Sequence, residues 1–225
     1  MRESPVLKDV ELQFIREGKE DDRVVRKFEL LALVRNDVDS KALGDSLTAG
    51  YQLPESAAFP SQLARALQAK GHKVEIINAG VSGDTTAAGR ARLAFVLDNA
   101  PTKPALVVLG LGGNDMLRGI GAAETRANMT AMMDELKRRD IPVVLTGMLA
   151  APNLGADYGK AFNSIFTDLA KQYDAALYPF ILEGVVTKPD LMLADGIHPT
   201  AEGVGVMAKG IAPLVSNKLP EKVTP

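Results

Sequence analysis

The feature that most constrains the fold is a regular alternation of short apolar runs with longer amphipathic stretches. The apolar runs are VEIINAG (74–80), ALVVLGLGG (105–113), PVVLTGM (142–148) and AALYPF (175–180). Their continuous rather than alternating apolar character predicts strands that are buried on both faces. Helix-like stretches with apolar spacing lie between and after them, at 59–71, 87–100, 122–140, 159–174 and 200–219. This order predicts βαβ units, and therefore a mostly parallel sheet between layers of helices.

A fifth strand is expected over VDSKAL (38–43), directly before the sequence Gly-Asp-Ser. Asp39 and Lys41 stand in this segment where buried apolar residues are expected. Burying such charges in a central strand is costly unless they reach solvent or partners. We therefore expect either a short first strand or a contribution from the apolar run FELLALV (28–34).

The charge distribution divides the chain into regions. Residues 1–37 hold 17 of the 54 charged residues, which makes this segment more than twice as charged as the remainder. It is interpreted as an N-terminal extension without a catalytic role. One α/β domain is expected over 38–217, followed by a short tail at 218–225. The first residues lack the apolar core of a signal peptide, which favours the cytoplasm.

Composition argues against several classes of function. A net charge of −2 and a pI near 5.8 give no reason to expect a nucleic-acid or anionic-membrane partner. The chain has no cysteine, which excludes disulfides, thiolate metal sites and cysteine nucleophiles. Its two histidines, His72 and His198, argue against a multi-histidine metal centre. No apolar run approaches the roughly 20 residues that cross a bilayer, so stable membrane insertion is not expected.

Four polar clusters fall where a parallel sheet places its functional residues. Ser46 follows the first expected strand, SGDT (82–85) follows the second, and GGND (112–115) follows the third. DGIHP (195–199) lies in the loop before the last helix. Loops at the carboxyl ends of parallel strands meet at one edge of the sheet. The sequence therefore predicts a functional site at that edge.

Asp195 and His198 are spaced for a turn that folds the carboxylate onto the imidazole. In that arrangement Asp195 accepts from one ring nitrogen, and the other nitrogen is left to take a proton from a serine. Such a base is what a serine hydroxyl needs in order to act as a nucleophile. The alternative is a surface turn in which Asp195 is only a cap.

Two further positions are candidates for stabilising an oxyanion. The carboxamide of Asn114, next to two glycines at a strand end, can donate an N–H to developing negative charge. Alternatively, Asn114 only closes a loop, or the glycines hold a phosphate. Gly83 can offer an unobstructed backbone N–H, although Ser-Gly-Asp is also common in ordinary turns.

Taken together, LGDSLTAGY, NAGVSGDTT, LGLGGND and DGIHP resemble, in order and spacing, the four sequence blocks of the SGNH hydrolases, the GDSL esterase and lipase superfamily. From about Ala42 to Val215 the chain is most similar to the acyl-CoA thioesterase I and arylesterase branch. The resemblance covers about three quarters of the chain. It implies a flavodoxin-like three-layer α/β/α sandwich with a mostly parallel five-stranded sheet.

The resemblance also implies a role for each matching residue. Ser46 matches the nucleophile, His198 the general base and Asp195 its orienting carboxylate. Gly83, Asn114 and the backbone N–H of Ser46 match the oxyanion donors. Asp45 and Asp115 match residues that support turns, and no chemistry is assigned to them. The family works without a metal or cofactor, so neither is expected.

The expected function is hydrolysis of short- to medium-chain acyl esters, including aryl esters, acyl thioesters and lysophospholipids, through an acyl-enzyme on Ser46. The expected partner is a small-molecule acyl ester or thioester, and the oligomeric state is left open. One alternative is a carbohydrate acetylesterase of the same superfamily. Another is a non-catalytic or nucleotide-binding module that uses GLGGND as a phosphate cradle. The resemblance favours the periplasm or export over the cytoplasm.

Overall fold

A five-stranded, all-parallel sheet forms the centre of the protein. The computed structural model describes residues 39–219, without the side chain of Asp39. The strands follow the order β2-β1-β3-β4-β5. They are β1 (Asp39–Gly44), β2 (Glu75–Gly80), β3 (Val107–Gly110), β4 (Val143–Thr146) and β5 (Ala176–Tyr178). The predicted fold class is confirmed. The predicted extension at 1–37 and most of the predicted tail lie outside the described residues, and the domain boundaries remain predictions.

Helices cover both faces of the sheet. The chain moves one way from β1 to β2 and the opposite way from β2 to β3, so right-handed crossovers place the two connecting helices on opposite faces. On one face α2 packs with α7, and on the other α5 packs with α3 and α6. The helices are α1 (Ser46–Ala49), α2 (Phe59–Gln68), α3 (Thr86–Asp98), α4 (Gly113–Leu117), α5 (Ala122–Arg138), α6 (Ala156–Tyr173) and α7 (Ala201–Lys218). In the described part of the chain, no helix combines the length and apolar character needed to cross a bilayer.

The interior strand β1 is continuous despite its charged residues. β1 extends over six residues from Asp39 to the Gly-Asp-Ser turn, as long as its neighbour β2. Lys41 is buried within it, and its backbone N–H donates to the Leu106 carbonyl at 3.0 Å. The expectation that these charges shorten the strand is therefore wrong. The backbone ladder with strands on both sides holds Lys41 in the sheet. FELLALV lies outside the described residues.

Three glycines stand side by side where β1, β2 and β3 end. Gly44 of β1 is in register with Gly80 of β2 and with Gly110 of β3. A Cβ on Gly44 would lie 2.6 Å from the Gly110 carbonyl oxygen, and one on Gly80 would lie 2.8 Å from Ala49 Cα. Side chains are therefore excluded here by backbone atoms. Their absence lets α1 lie directly on the end of the sheet.

We predict that Gly80→Ala lowers the free energy of unfolding by about 1–3 kcal/mol, the usual cost of overpacking. The new methyl group would push α1 away from β2, so the ester hydrolysis that the family resemblance implies should fall as well. Thermal unfolding and ester turnover on the same preparation would test this.

Gly159→Ala is the matched control. Gly159 lies within α6, and a Cβ there would have no atom within 4 Å. Alanine is a better helix former than glycine, so the melting temperature should stay constant or rise slightly. Equal effects of the two substitutions would contradict the proposed packing constraint.

Candidate active site

Ser46 occupies the first position of the very short helix α1, which follows β1. Asp45 caps this helix, and its carboxylate accepts a hydrogen bond from the Leu47 N–H at 3.0 Å. The Ser46 N–H belongs to the first turn and so has no acceptor within the helix. Among residues 39–219 no other backbone acceptor receives it. Ser46 therefore presents both its hydroxyl and its N–H at the carboxyl edge of the sheet.

The structure brings Ser46, His198 and Asp195 together in one hydrogen-bonded series. His198 Nε2 lies 2.9 Å from Ser46 Oγ, although 152 residues separate them in the sequence. His198 Nδ1 lies 2.7 Å from Asp195 Oδ2. Nucleophile, base and orienting carboxylate are thus all within hydrogen-bond distance of their neighbours.

Hydrogen bonds within the turn that carries His198 fix its conformation. Asp195 Oδ1 accepts from the Ile197 N–H at 2.9 Å and from the His198 N–H at 3.0 Å. The His198 carbonyl accepts from the Leu193 N–H at 2.7 Å. The ring of Tyr51 packs on the imidazole, with 4.3 Å between the ring centroids. Tyr51 is the last residue of the block LGDSLTAGY, but it was assigned no role from the sequence.

The hydrogen bonds that Asp195 accepts favour its ionised form. The backbone N–H and imidazole of His198, followed by the Ile197 N–H, lower the pKa of its carboxyl to about 2. An ionised carboxylate can only accept hydrogen bonds. The proton between the two residues therefore belongs to His198 Nδ1, which leaves the Nε2 lone pair directed at the Ser46 hydroxyl. This is the tautomer that a general base requires.

Gly83 lies in the turn between β2 and α3. Its φ of +87° is in the left-handed region of backbone conformation, which residues with a Cβ rarely adopt. Its carbonyl accepts from Arg118 Nη2 at 2.7 Å. Its N–H donates to no acceptor within the described residues, 39–219. That N–H is therefore available to a bound molecule.

Asn114, near the start of α4, connects two of these turns. Its Nδ2 donates to the Asp84 carbonyl at 3.0 Å and lies 3.5 Å from Asp45 Oδ2. Asp84 directly follows Gly83, and Asp45 directly precedes Ser46. The carboxamide is thus positioned between the segments that carry the other two oxyanion candidates. Its second N–H makes only the longer contact.

Asp45 is a buried carboxyl beneath the candidate nucleophile, only 4% exposed. Burial raises its pKa to about 6, against the opposing effects of the Leu47 N–H and the nearby His198. The charge of Asp84 raises it further. The ionised form of Asp45 therefore carries a desolvation cost in the folded protein.

Asp115 has a structural position, in agreement with the absence of an assigned chemical role. It is fully buried, and its carboxylate accepts from the Thr86 N–H at 2.8 Å and from Thr125 Oγ1 at 3.1 Å. It also accepts a short hydrogen bond from Thr86 Oγ1. These contacts connect α4 with α3 and α5.

Residues outside the predicted set also organise this edge, namely Asp84 and Arg92. Asp84 was inside a recognised block, SGDT, but received no role. Arg92 lies in an amphipathic helix, where a single sequence contains no signal that distinguishes it from a surface cation.

Within residues 39–219, no group of three or more His, Cys, Asp or Glu side chains is arranged to hold a metal ion.

Comparison with known proteins connects this geometry with a family. Residues 42–206 match the model of the GDSL-like lipase/acylhydrolase family. An arylesterase from Vibrio mimicus is 41% identical over 170 residues, which cover 76% of this chain and 84% of that protein. Thioesterase 1/protease 1/lysophospholipase L1 of Escherichia coli K12 is 38% identical over 179 residues, covering 78% and 84% of the two chains.

Solved structures agree with the sequence comparison. The SGNH-hydrolase family esterase AlinE4 superposes with a TM-score of 0.70 at 48% identity, covering 84% of this chain and all of that one. A structure of TesA superposes with a TM-score of 0.75 at 36% identity, covering 80% and 99% of the two chains. The family resemblance drawn from the four sequence blocks is confirmed.

We predict that Asp45→Asn changes the pH dependence of stability. Its pKa is raised from 3.8 to about 6 in the folded protein, so Asp45 stabilises the fold at low pH, and this contribution is lost as the pH rises through about 6. Asparagine cannot ionise but can still cap α1. The stability of the native protein relative to the variant should therefore fall between about pH 3 and 7, by about 3 kcal/mol at about 1.4 kcal/mol for each pKa unit.

Urea unfolding of both proteins at several pH values in this range would measure the difference. A difference that does not change with pH would contradict the raised pKa. A difference that grows in the opposite direction would mean that the folded protein favours the ionised carboxylate.

Proposed function

The chain belongs to the GDSL-like lipase/acylhydrolase family, and from this premise we propose that it hydrolyses short- to medium-chain acyl esters and thioesters through an acyl-enzyme on Ser46. It is a carboxylic ester hydrolase of the SGNH type. The observation that carries the assignment of residues is the series Ser46 Oγ, His198 Nε2, His198 Nδ1 and Asp195 Oδ2, with separations of 2.9 and 2.7 Å.

Acylation begins when Ser46 Oγ forms a bond to the acyl carbon while its proton passes to His198 Nε2. The electron pair of the carbonyl double bond moves to its oxygen and creates an oxyanion. The bond to the leaving group then breaks, and the leaving alcohol or thiol takes the proton from His198. The acyl group remains as an ester of Ser46.

Deacylation repeats the sequence with water. His198 takes a proton from a water molecule, whose oxygen attacks the acyl carbon. The tetrahedral intermediate collapses to release the carboxylic acid, and Ser46 Oγ recovers its proton from His198. Asp195 stays ionised throughout and stabilises the imidazolium that forms in each half of the reaction.

The proposed oxyanion donors are the N–H groups of Ser46 and Gly83 and the carboxamide of Asn114. The two backbone N–H groups have no backbone acceptor among residues 39–219, so they need not give up a bond when the oxyanion forms. Donors held in place before the reaction stabilise the transition state without a cost of reorganisation.

The proposed substrate class rests on the surroundings of Ser46 and on the relatives. Large apolar side chains are exposed on several segments that follow the carboxyl ends of strands or carry His198: Tyr51 after β1, Leu117 at the end of α4, Leu149 and Leu154 after β4, and Ile197 beside His198. They offer apolar surface to an acyl chain. The names of the relatives, arylesterase and thioesterase 1/protease 1/lysophospholipase L1, favour aryl esters, acyl thioesters and lysophospholipids over the alternatives considered above.

We predict that Ser46→Ala abolishes ester hydrolysis and leaves the melting temperature nearly unchanged, because the substitution removes one hydroxyl and its hydrogen bond to His198 from a half-buried position. In the native protein a fluorophosphonate should label Ser46 stoichiometrically, as peptide mass spectrometry would show. Ser216, which lies 2.6 Å from His72 Nε2, provides an internal control. Labelling of Ser216, or full activity of the Ser46 variant, would refute the assignment.

The acyl-chain range has its own test. We expect kcat/KM for p-nitrophenyl esters to rise from acetate to butyrate and hexanoate, because each buried methylene contributes about 0.8 kcal/mol. Acetylated sugars should be poorer substrates than these esters. A marked preference for acetylated sugars would instead identify a carbohydrate acetylesterase.

A further inference from the structure

One arginine from α3 contacts both sides of the candidate oxyanion site. Arg92 Nε donates to Asp84 Oδ2 at 2.6 Å, and Arg92 Nη2 donates to the Gly44 carbonyl at 3.1 Å. Gly44 stands two residues before Ser46, and Asp84 stands one residue after Gly83. The guanidinium therefore connects the segment that carries Ser46 with the segment that carries Gly83.

Asp84 extends this connection to the third candidate donor. Its carboxylate binds Arg92, while its main-chain carbonyl accepts from Asn114 Nδ2 at 3.0 Å. The Gly44 carbonyl also accepts from the Val81 N–H at 3.0 Å. The Arg92–Asp84 pair therefore connects three segments. Arg92 binds the end of β1 at Gly44, and Asp84, which follows β2, accepts from Asn114 in α4.

Asp84 is the least exposed acidic side chain among the ion pairs of residues 39–219. The side chains of Arg92 and Asp84 are 21% and 11% exposed, compared with 22% and 23% for the Arg139–Glu135 pair and 37% and 56% for the Arg126–Asp168 pair. Charge-assisted hydrogen bonds shielded from water are stronger and more rigid than exposed ones. A shielded pair can hold loops in a fixed geometry.

We infer that Arg92 and Asp84 are positioning residues, which set the separation of the three oxyanion donors by holding Gly44, Gly83 and Asn114 together. The inference rests on the proposed roles of Ser46, Gly83 and Asn114. An oxyanion hole works only if its donors lie about 2.7–3.1 Å from the oxyanion. Displacing such a group by about 1 Å can cost on the order of 10²-fold in rate.

The charge of Arg92 has a second effect. Asp84 contributes a negative charge close to where the oxyanion would form, and Arg92 offsets it. Without the guanidinium, Asp84 would be left nearly buried and unpaired, which costs stability and repels the developing negative charge. Replacement of Arg92 should therefore act on the transition state more than on substrate binding.

The first test compares Arg92→Met and Arg92→Lys with the native protein. Arg92→Met should lower kcat for p-nitrophenyl butyrate by about 10²-fold with little change in KM. Lysine keeps the charge but lacks the planar fork, so it cannot hold both Asp84 and Gly44, and its kcat should be intermediate. Rates should be expressed per active site by titration with a fluorophosphonate, which removes the contribution of misfolded protein.

The second test is a double-mutant cycle with Asn114→Ala, which alone should lower kcat by about 10²–10³-fold. If Arg92 positions Asn114 together with the Ser46 and Gly83 N–H groups, adding Arg92→Lys or Arg92→Met to Asn114→Ala should reduce kcat less than it does in the native background, because one of the positioned donors is already lost. A residue that only stabilises the fold would give multiplicative losses. If Arg92→Met does not fold, Arg92→Lys completes the cycle.

Arg126→Met is the matched control, because it removes an exposed pair between α5 and α6, and its kcat should equal that of the native protein. Multiplicative losses in the cycle, or a native kcat for Arg92→Lys, would overturn the inference. A native kcat for Asn114→Ala would instead refute the oxyanion role of Asn114, and activity of Ser46→Ala would refute the proposed function itself.

Discussion

The parallel pairing of β1 with both β2 and β3 is the interaction on which the candidate site depends. The register aligns Gly44 with Gly80 and Gly110, so three strands end at the same height. Because these positions lack side chains, α1 can lie on the end of the sheet and place Ser46 between the turns that carry Gly83 and Asn114. A shift of one residue in either pairing would separate the candidate donors by about 3.3 Å along the strand.

Four acidic side chains lie at the carboxyl edge of the sheet, and the partners that compensate their charge or burial differ. Asp195 is paired with His198 and with two backbone N–H groups, which keep it ionised. Asp84 is paired with Arg92, and Asp115 is satisfied by two threonines. Within residues 39–219, Asp45 has a helix-cap hydrogen bond and a long contact to Asn114, so its burial is partly compensated. The site is therefore an electrostatic arrangement as much as a set of reactive groups.

Contacts made within one short stretch of the chain were easier to predict from the sequence than the environment of a residue in the sheet. The Asp195–His198 turn spans three residues, and its contacts are made within the turn itself. The strand β1 was harder to predict from the sequence, because a lysine such as Lys41 is unfavourable in a buried strand when its neighbours are not known. Its backbone hydrogen bonds depend on Leu106 and on two flanking strands that are distant in the sequence.

By itself the sequence determined the alternation of strands and helices, the family, and the residues Ser46, Gly83, Asn114, Asp195 and His198 as candidates. These features are readable because periodicity and short motifs are properties of contiguous residues. Only the tertiary structure decided that Arg92 connects Gly44 with Asp84, that Tyr51 packs on His198, and that Asp45 is buried beside Asn114. Such contacts join segments that meet only after the strands have taken their order in the sheet, and that order is not encoded in any single stretch of the chain.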